Sequence, residues 1–269
     1  MFNFDFYNPT HIIFGKDRLE SIDNNVPASA NVLITYGGGS AKRNGIIDQV
    51  KTALANRKVY EFGGIEPNPR YETLVKAVEI VRNEKIDFII AVGGGSAIDG
   101  TKFITLASNY EGDSSDLLKF GFAPLPVNVA VPFGTVVTLP ATGSEMNNSA
   151  VISYEHGKYV ISSPLVFPKF SIVDPTITFT LPKTQVANGV VDAFVHVTEQ
   201  YLTYPVDARV QDRMAEGILQ TLVEVGETTV SEYDNYDARA NHVLSATLAL
   251  NGLIGSGVPQ DWASHFIGH

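Results

Sequence analysis

Cysteine is absent from the 269 residues, which excludes a disulfide framework, a thiolate nucleophile and any Cys-ligated metal. A metal site would therefore rest on histidine and carboxylate. Basic charge is also scarce: 19 Lys+Arg stand against 29 Asp+Glu, a formal net charge of −10. Nucleic-acid binding needs a basic face, so that class of partner is disfavoured. Anionic small ligands are not excluded, because backbone N–H groups can hold them in an acidic protein. Long hydrophobic runs are missing too. The most apolar later stretch, VNVAVPFGTVVTLPATG, is short of a bilayer span and is broken by Pro and Gly. The first residues, MFNFDFYNPTH, have no basic or apolar leader pattern, so the expected setting is the cytoplasm.

What is present is globular in character: 44% hydrophobic and 10% aromatic residues over a length that suits about two domains. Between residues 31 and 110 short apolar strands alternate with amphipathic stretches. NVLITY precedes a glycine turn and a helical run; KVYEFG precedes YETLVKAVEIVRNEK; DFIIAV precedes a second glycine turn and AIDGTKFITLASNY. Continuous apolar strands alternating with helices predict a parallel sheet covered on both faces. Residues 128–174 break into short strand-like pieces, expected to continue the sheet with one hairpin turned by EHGK. From Lys183 onward the chain reads as long amphipathic helices, with Pro175 and Pro182 as breakers. The expected organisation is an α/β domain over 1–180 followed by an all-α domain over 181–269.

Two glycine turns, Gly37-Gly38-Gly39-Ser40 and Gly93-Gly94-Gly95-Ser96, each follow a strand and open a helix. Such a turn lets the backbone approach an anion, and the helix supplies unpaired N–H groups at its positive end. One copy is as easily a plain tight turn. Two copies on one sheet edge suit an extended dinucleotide. An NAD site usually sets a carboxylate near the adenosine ribose, whereas Lys42 and Arg43 follow the first turn here. NADP(H) is therefore the expected cofactor, although both cations could equally be solvated helix charges.

Asp192 and His196 lie four apart in QVANGVVDAFVHVTEQY, and His265 and His269 repeat that spacing in QDWASHFIGH. Residues so spaced share a helix face. A carboxylate with neutral imidazoles suits Fe²⁺ or Zn²⁺. A buried hydrogen-bonded pair and a pair of surface histidines are the competing explanations.

Taken together, FGKDRL, LITYGGGSAKRNG, GGIEPNP, AVGGGSAIDGTKF, TLPATGSEMN, VANGVVDAFVHVTEQY and ALNGLIGSGVPQDWASH resemble the iron-containing (group III) alcohol dehydrogenases over essentially the whole chain. Within them the match is to the butanol-dehydrogenase-like, NADPH-dependent aldehyde reductase branch. The resemblance implies a dehydroquinate-synthase-like nucleotide-binding domain followed by a helical metal-binding domain. It also implies reversible, metal-dependent reduction of aldehydes to alcohols, in a homodimer paired through the segment FNFDFYNPTHIIFG. Asp192, His196 and His265 fall on metal-ligand positions, and His269 on a histidine near the substrate that can join a proton relay. The family's final histidine ligand lies further along, so three of four ligands are expected here and the helical domain is expected to be incomplete. Gly38, Gly39, Ser40 and Asn68 match adenosine-side contacts, and Gly94, Gly95 and Ser96 the pyrophosphate cradle. Asp99 falls near the nicotinamide end, while Thr138, Thr142, Asn147 and Lys158 match further cofactor contacts. Lys158 could equally be an exposed hairpin lysine. Glu145 is expected to be structural or an N-cap partner. Trp262 and other apolar side chains would suit medium-chain aldehydes. An NAD-dependent polyol dehydrogenase, another enzyme of the same superfamily and a non-catalytic nucleotide-binding protein are the alternatives.

Overall fold

A computed structural model describes residues 1–268. Strands β1 (His11–Phe14), β2 (Asn31–Tyr36), β3 (Lys58–Phe62), β4 (Phe88–Gly93), β5 (Phe133–Val137) and β8 (Phe170–Val173) form one parallel sheet in the order β1-β8-β5-β4-β2-β3. Helices α1 (Ile22–Asn25), α2 (Ser40–Arg43), α3 (Ile46–Ala53), α4 (Tyr71–Asn83) and α5 (Gly95–Ala107) alternate with its strands. Every residue of β4 is buried, because successive side chains point to opposite faces and both faces are covered. Phe88, Ile90 and Val92 meet Ile22, Ile47 and Val50 of α1 and α3 in one core. Ile89 and Ala91 meet Leu74, Val78, Phe103 and Ile104 of α4 and α5 in the other.

The chain steps outward from β2 to β3 and then back across β2 to β4. The β2/β4 boundary is thus the point where the winding reverses, and ligands in open α/β sheets bind outside the strand ends at such a point. The glycine turns after β2 and β4 flank it.

Between β5 and β8 the structure departs from expectation. NVAVPF contributes strand only from Phe133, and β6 (Ser149–Tyr154) pairs with β7 (Gly157–Ser162) in a separate antiparallel ribbon. The ribbon does not extend the main sheet because side chains of α5 capture β6. Asp99 Oδ2 accepts from Val151 N at 2.9 Å, and Lys102 Nζ donates to Ser149 O at 2.8 Å.

Four helices follow: α6 (Lys183–Tyr201), α7 (Arg209–Ser231), α8 (Tyr236–Ala249) and α9 (Ala263–Gly268). Ala193, Val197, Leu222, Ala246 and Ile254 make the core shared by α6, α7 and α8. The helical part is tied to the sheet by Val243 of α8 against Val137 and Val173, and by buried Arg239, which donates to Thr178 O at 2.7 Å. It is also tied at Gly189 of α6, where a Cβ would lie 2.3 Å from Pro140 O. No helix among the described residues is long and apolar enough to cross a membrane.

His242 of α8 is fully buried, and its Nε2 would lie 3.4 Å from a Cβ at position 189. Burial, with the nearby Arg239 guanidinium, pushes its imidazole down to about 4. The unfolded chain, titrating near 6.5, binds more protons between those values. The contribution of His242 to stability is therefore complete above about pH 6.5 and is lost as pH falls towards about 4, by up to about 3 kcal/mol. Urea unfolding across that window should show the loss, and His242→Leu should flatten it; an identical slope in the variant would refute the assignment.

Candidate active site

A cavity of about 800 Å³ lies against the ribbon, the β4 glycine turn and the helical part. Gly95, Ser96, Asp99, Asn68, Thr142 and Asn147 line one side, and Asp192, His196, His265 and Trp262 the other. The helix period carries Asp192 and His196 to one face of α6, with His196 Nδ1 3.8 Å from Asp192 Oδ2. His265 arrives from α9, its Nε2 3.7 Å from Asp192 Oδ1 and its ring stacked at 4.5 Å on His196. Asp192 is only half-buried, facing the cavity, so the apolar neighbours in its sequence do not enclose it.

One donor atom from each of Asp192, His196 and His265 falls within 4.8 Å of the others. Ligands held about 2.1 Å from one ion stand about 3.4 Å apart in a tetrahedron, so a small contraction closes the set. One carboxylate oxygen and two imidazole nitrogens are donors for Fe²⁺ or Zn²⁺. These residues fit a divalent metal. His269 lies outside the described residues.

Glu199, three residues past His196 on α6, is buried beneath this cluster and was not singled out in the sequence. Its Oε1 accepts from Ser264 N at 2.6 Å and from His265 N at 3.3 Å, while Oε2 meets His265 Nδ1. Desolvation alone would raise the Glu199 carboxyl, but its bonds to His265 and the α9 amides outweigh that and hold it low. Asp192 above all, with Glu199, raises the His265 imidazole despite its partial burial. A carboxylate on Nδ1 leaves Nε2 for the cluster. The signal was legible: 192, 196 and 199 repeat at helical spacing.

On the sheet side of the cavity, Gly95 packs so closely that a Cβ would lie 2.5 Å from Thr142 Oγ1, which brings the start of α5 against the 138–147 segment. The first N–H groups of α5 are free to meet an anion there. Gly94 precedes them as N-cap, and Thr138 N donates to Gly93 O at 3.0 Å just outside the cavity. Asn68, with φ of 58°, receives Lys158 Nζ on Oδ1 at 2.8 Å, and its own N–H faces Ser96 Oγ at 3.3 Å. Lys158, on the hairpin, thus reaches a residue that lines the cavity. Asp99 accepts from Ser144 Oγ at 2.6 Å, and burial raises its carboxyl. Glu145 is buried and structural, accepting from Thr247 Oγ1 on α8 at 2.6 Å; it caps no helix.

Gly38, Gly39 and Ser40 form the turn into α2, outside the cavity wall. The fold adds an acid that the turn's own sequence lacks. Glu61 at the end of β3 meets Lys51 and accepts from Lys42 Nζ at 3.1 Å and Tyr36 OH at 3.0 Å. The Lys51 ammonium chiefly, then Lys42 and Tyr36, pushes its carboxyl down to about 2. Two cations on one carboxylate leave this end net positive, and Arg43 Nη1 sits 3.5 Å from Gly38 O.

Family models match across both parts of the chain. Residues 9–175 match the iron-containing alcohol dehydrogenase model, and residues 186–269 the C-terminal model of the Fe-containing alcohol dehydrogenase family. The chain therefore belongs to the iron-containing alcohol dehydrogenases, a family of oxidoreductases. It is 55% identical to the NADPH-dependent aldehyde reductase YqhD of Escherichia coli, over 100% of this chain and 70% of that protein. A probable NADH-dependent butanol dehydrogenase of Bacillus subtilis is 46% identical over the same shares. The crystal structure of E. coli YqhD superposes with a TM-score of 0.97, at 55% identity, covering 100% of this chain and 69% of that one. NADH-dependent butanol dehydrogenase A of Thermotoga maritima gives 0.93 at 39% identity, covering 99% and 68%.

Removing the carboxylate behind His265 should loosen the ligand set without touching the ligands. Glu199→Ala is expected to weaken metal affinity about 10–100-fold in anaerobic Fe²⁺ or Zn²⁺ titrations of the apoprotein. A dissociation constant within twofold of the parent's would show that His265 is held by other means.

Proposed function

We propose that this protein reduces aldehydes to alcohols with hydride from NADPH, reversibly, at the cavity between the β4 glycine turn and the Asp192–His196–His265 cluster. The observation that carries the reading is that one cavity is lined by both, so a cofactor and a carbonyl can meet there. The division into a cofactor domain over 1–180 and a catalytic domain over 181–269 is part of the same proposal.

In this reading Asp192, His196 and His265 hold the divalent metal. When bound, the metal supplies Lewis-acid polarisation of a carbonyl, and the nicotinamide supplies hydride. The protein's own residues do the rest. Gly94, Gly95 and Ser96, at the positive end of α5, bind the pyrophosphate. Asn68, held by Lys158 and Ser96, meets the adenosine side together with Gly38, Gly39 and Ser40. Lys42 and Arg43 lie beside that turn, and with Glu61 already neutralised they suit a 2′-phosphate better than a bare ribose. This local charge favours NADPH over NADH.

Thr138, Thr142, Asp99 and Asn147 bound the nicotinamide half, fixing the approach of cofactor to substrate; such orientation is worth several kcal/mol of barrier. Trp262, 5.5 Å from the His265 ring, covers the cluster with an apolar surface, and Phe6, Phe122 and Phe167 extend it. Medium-chain aliphatic aldehydes match that wall. His269 is the proposed proton relay. We also propose a cytoplasmic homodimer, its supporting feature being β1, which pairs with β8 on one side and ends the sheet on the other.

Asp192→Asn in the intact holoenzyme should abolish aldehyde-dependent loss of NADPH absorbance while NADPH binding, followed by fluorescence, stays within about threefold. Unchanged turnover in that variant would overturn the assignment. Across both cofactors the KM for NADPH should be the lower; a lower KM for NADH would remove the role given to Lys42 and Arg43.

A further inference from the structure

Lys102 is a fully buried lysine in the middle of α5, and nothing in the proposed chemistry uses it. Its Nζ donates to two neutral acceptors, Asn147 Oδ1 and Ser149 O, each at 2.8 Å. Burial pulls the ammonium down to about 8, with Asp99 and Glu145 opposing that shift. An ammonium taken out of water is costly, and here the nearby Asp99 and Glu145 carboxyls and the bond that ties α5 to β6 offset part of that cost. That tie to β6 does not account for its second bond, to a side chain that lines the cavity.

Besides holding Ser149 O, Lys102 is one of three groups that fix the polarity of one amide. Asn147 Oδ1 accepts from both Lys102 Nζ and Ser149 N, the latter at 3.1 Å. Nδ2 donates to Gly143 O at 3.0 Å. A flipped amide would turn its NH₂ on the ammonium and on a backbone N–H, and would set its oxygen against a carbonyl. All three contacts would then be lost, and the alternative orientation is closed. Asn147 lines the cavity with Asp99, and one N–H of its amide remains after Gly143 is served.

We propose that Lys102 is a positioning residue that locks the Asn147 carboxamide so that the cavity meets a hydrogen-bond donor, which an acceptor oxygen on the nicotinamide half of the cofactor takes. The proposal rests on the cofactor placement given above. It assigns Lys102 no contact with cofactor or substrate; its effect passes wholly through Asn147.

The test is a double-mutant cycle on the holoenzyme, with NADPH affinity read by fluorescence titration, KM values by absorbance and stability by urea unfolding. Lys102→Met should still fold, with a lowered unfolding midpoint because Ser149 O loses its donor and Asp99 and Glu145 lose their cation, and should weaken NADPH binding about tenfold, while the KM for butyraldehyde moves less than twofold. Asn147→Ala should lose a similar factor. The double variant should lose no more than Asn147→Ala alone, because a residue acting through another adds nothing once that other is gone. Lys102→Gln, which keeps a donor and drops the charge, should recover most of the affinity. Additive losses, a shift confined to the aldehyde KM, or unchanged NADPH affinity in folded Lys102→Met would each overturn the proposal. If Lys102→Met does not fold, Asn147→Ala decides: unchanged NADPH affinity there overturns it as well. The parent protein is the control for the reading beneath, since failure of the parent to bind NADPH sinks the function and not the role of Lys102.

Discussion

The parallel pairing of β2 with β4 is the constraint from which the remaining geometry follows. Because the chain leaves β2 outward and returns across it, the loops that end these two neighbouring strands open side by side on one edge. Helix starts converge there, and their unpaired N–H groups make that edge electropositive even in a protein of net charge −10. The segment after β5 then packs against the β4 turn at Gly95, and α6 packs against the same segment at Gly189. A chain of close contacts thus runs from a strand pairing to the helix that bears Asp192 and His196.

The site draws on that chain from two sides. On the sheet side the polar groups are bonded to one another: Asp99 with Ser144 and Val151, Lys102 with Asn147 and Ser149, Glu145 with Thr247. Networks of this kind hold side chains in one arrangement, since every member would lose a partner by moving. On the helical side Asp192 is half-exposed and α9 is held by Glu199 through two backbone amides and a ring nitrogen. The mutually bonded half lies towards the β4 glycine turn, and the more open half bears the Asp192–His196–His265 cluster.

Much of this was legible in the residues. The apolar runs of β2 and β4, the helix period of α4 and α6 and the two GGGS turns give the sheet and its ligand edge without further knowledge, because each signal is local. The i, i+4 spacing of Asp192 and His196 gives their shared face for the same reason. What was not legible depends on register or on long-range partners. That the hairpin forms its own ribbon follows from Asp99 and Lys102 reaching across about fifty residues, a pairing that no period reveals. Glu61 reaches the first glycine turn only because β3 pairs with β2. Lys102 reads as an ordinary helix lysine until its neighbours are known. Glu199 is the intermediate case, since its spacing was visible and its partner on α9 was not.

The contact at Gly189 sets the gap between α6 and the loop after β5 by main chain against main chain, with no side chain interposed. A clearance fixed in that way cannot drift as neighbouring hydrophobic residues are exchanged for larger or smaller ones. The interval between the place where a hydride donor would lie and the place where a carbonyl would be gripped is thereby insulated from changes elsewhere in the core. Variation in the walls of the pocket can alter which molecules enter while the reach across it stays the same.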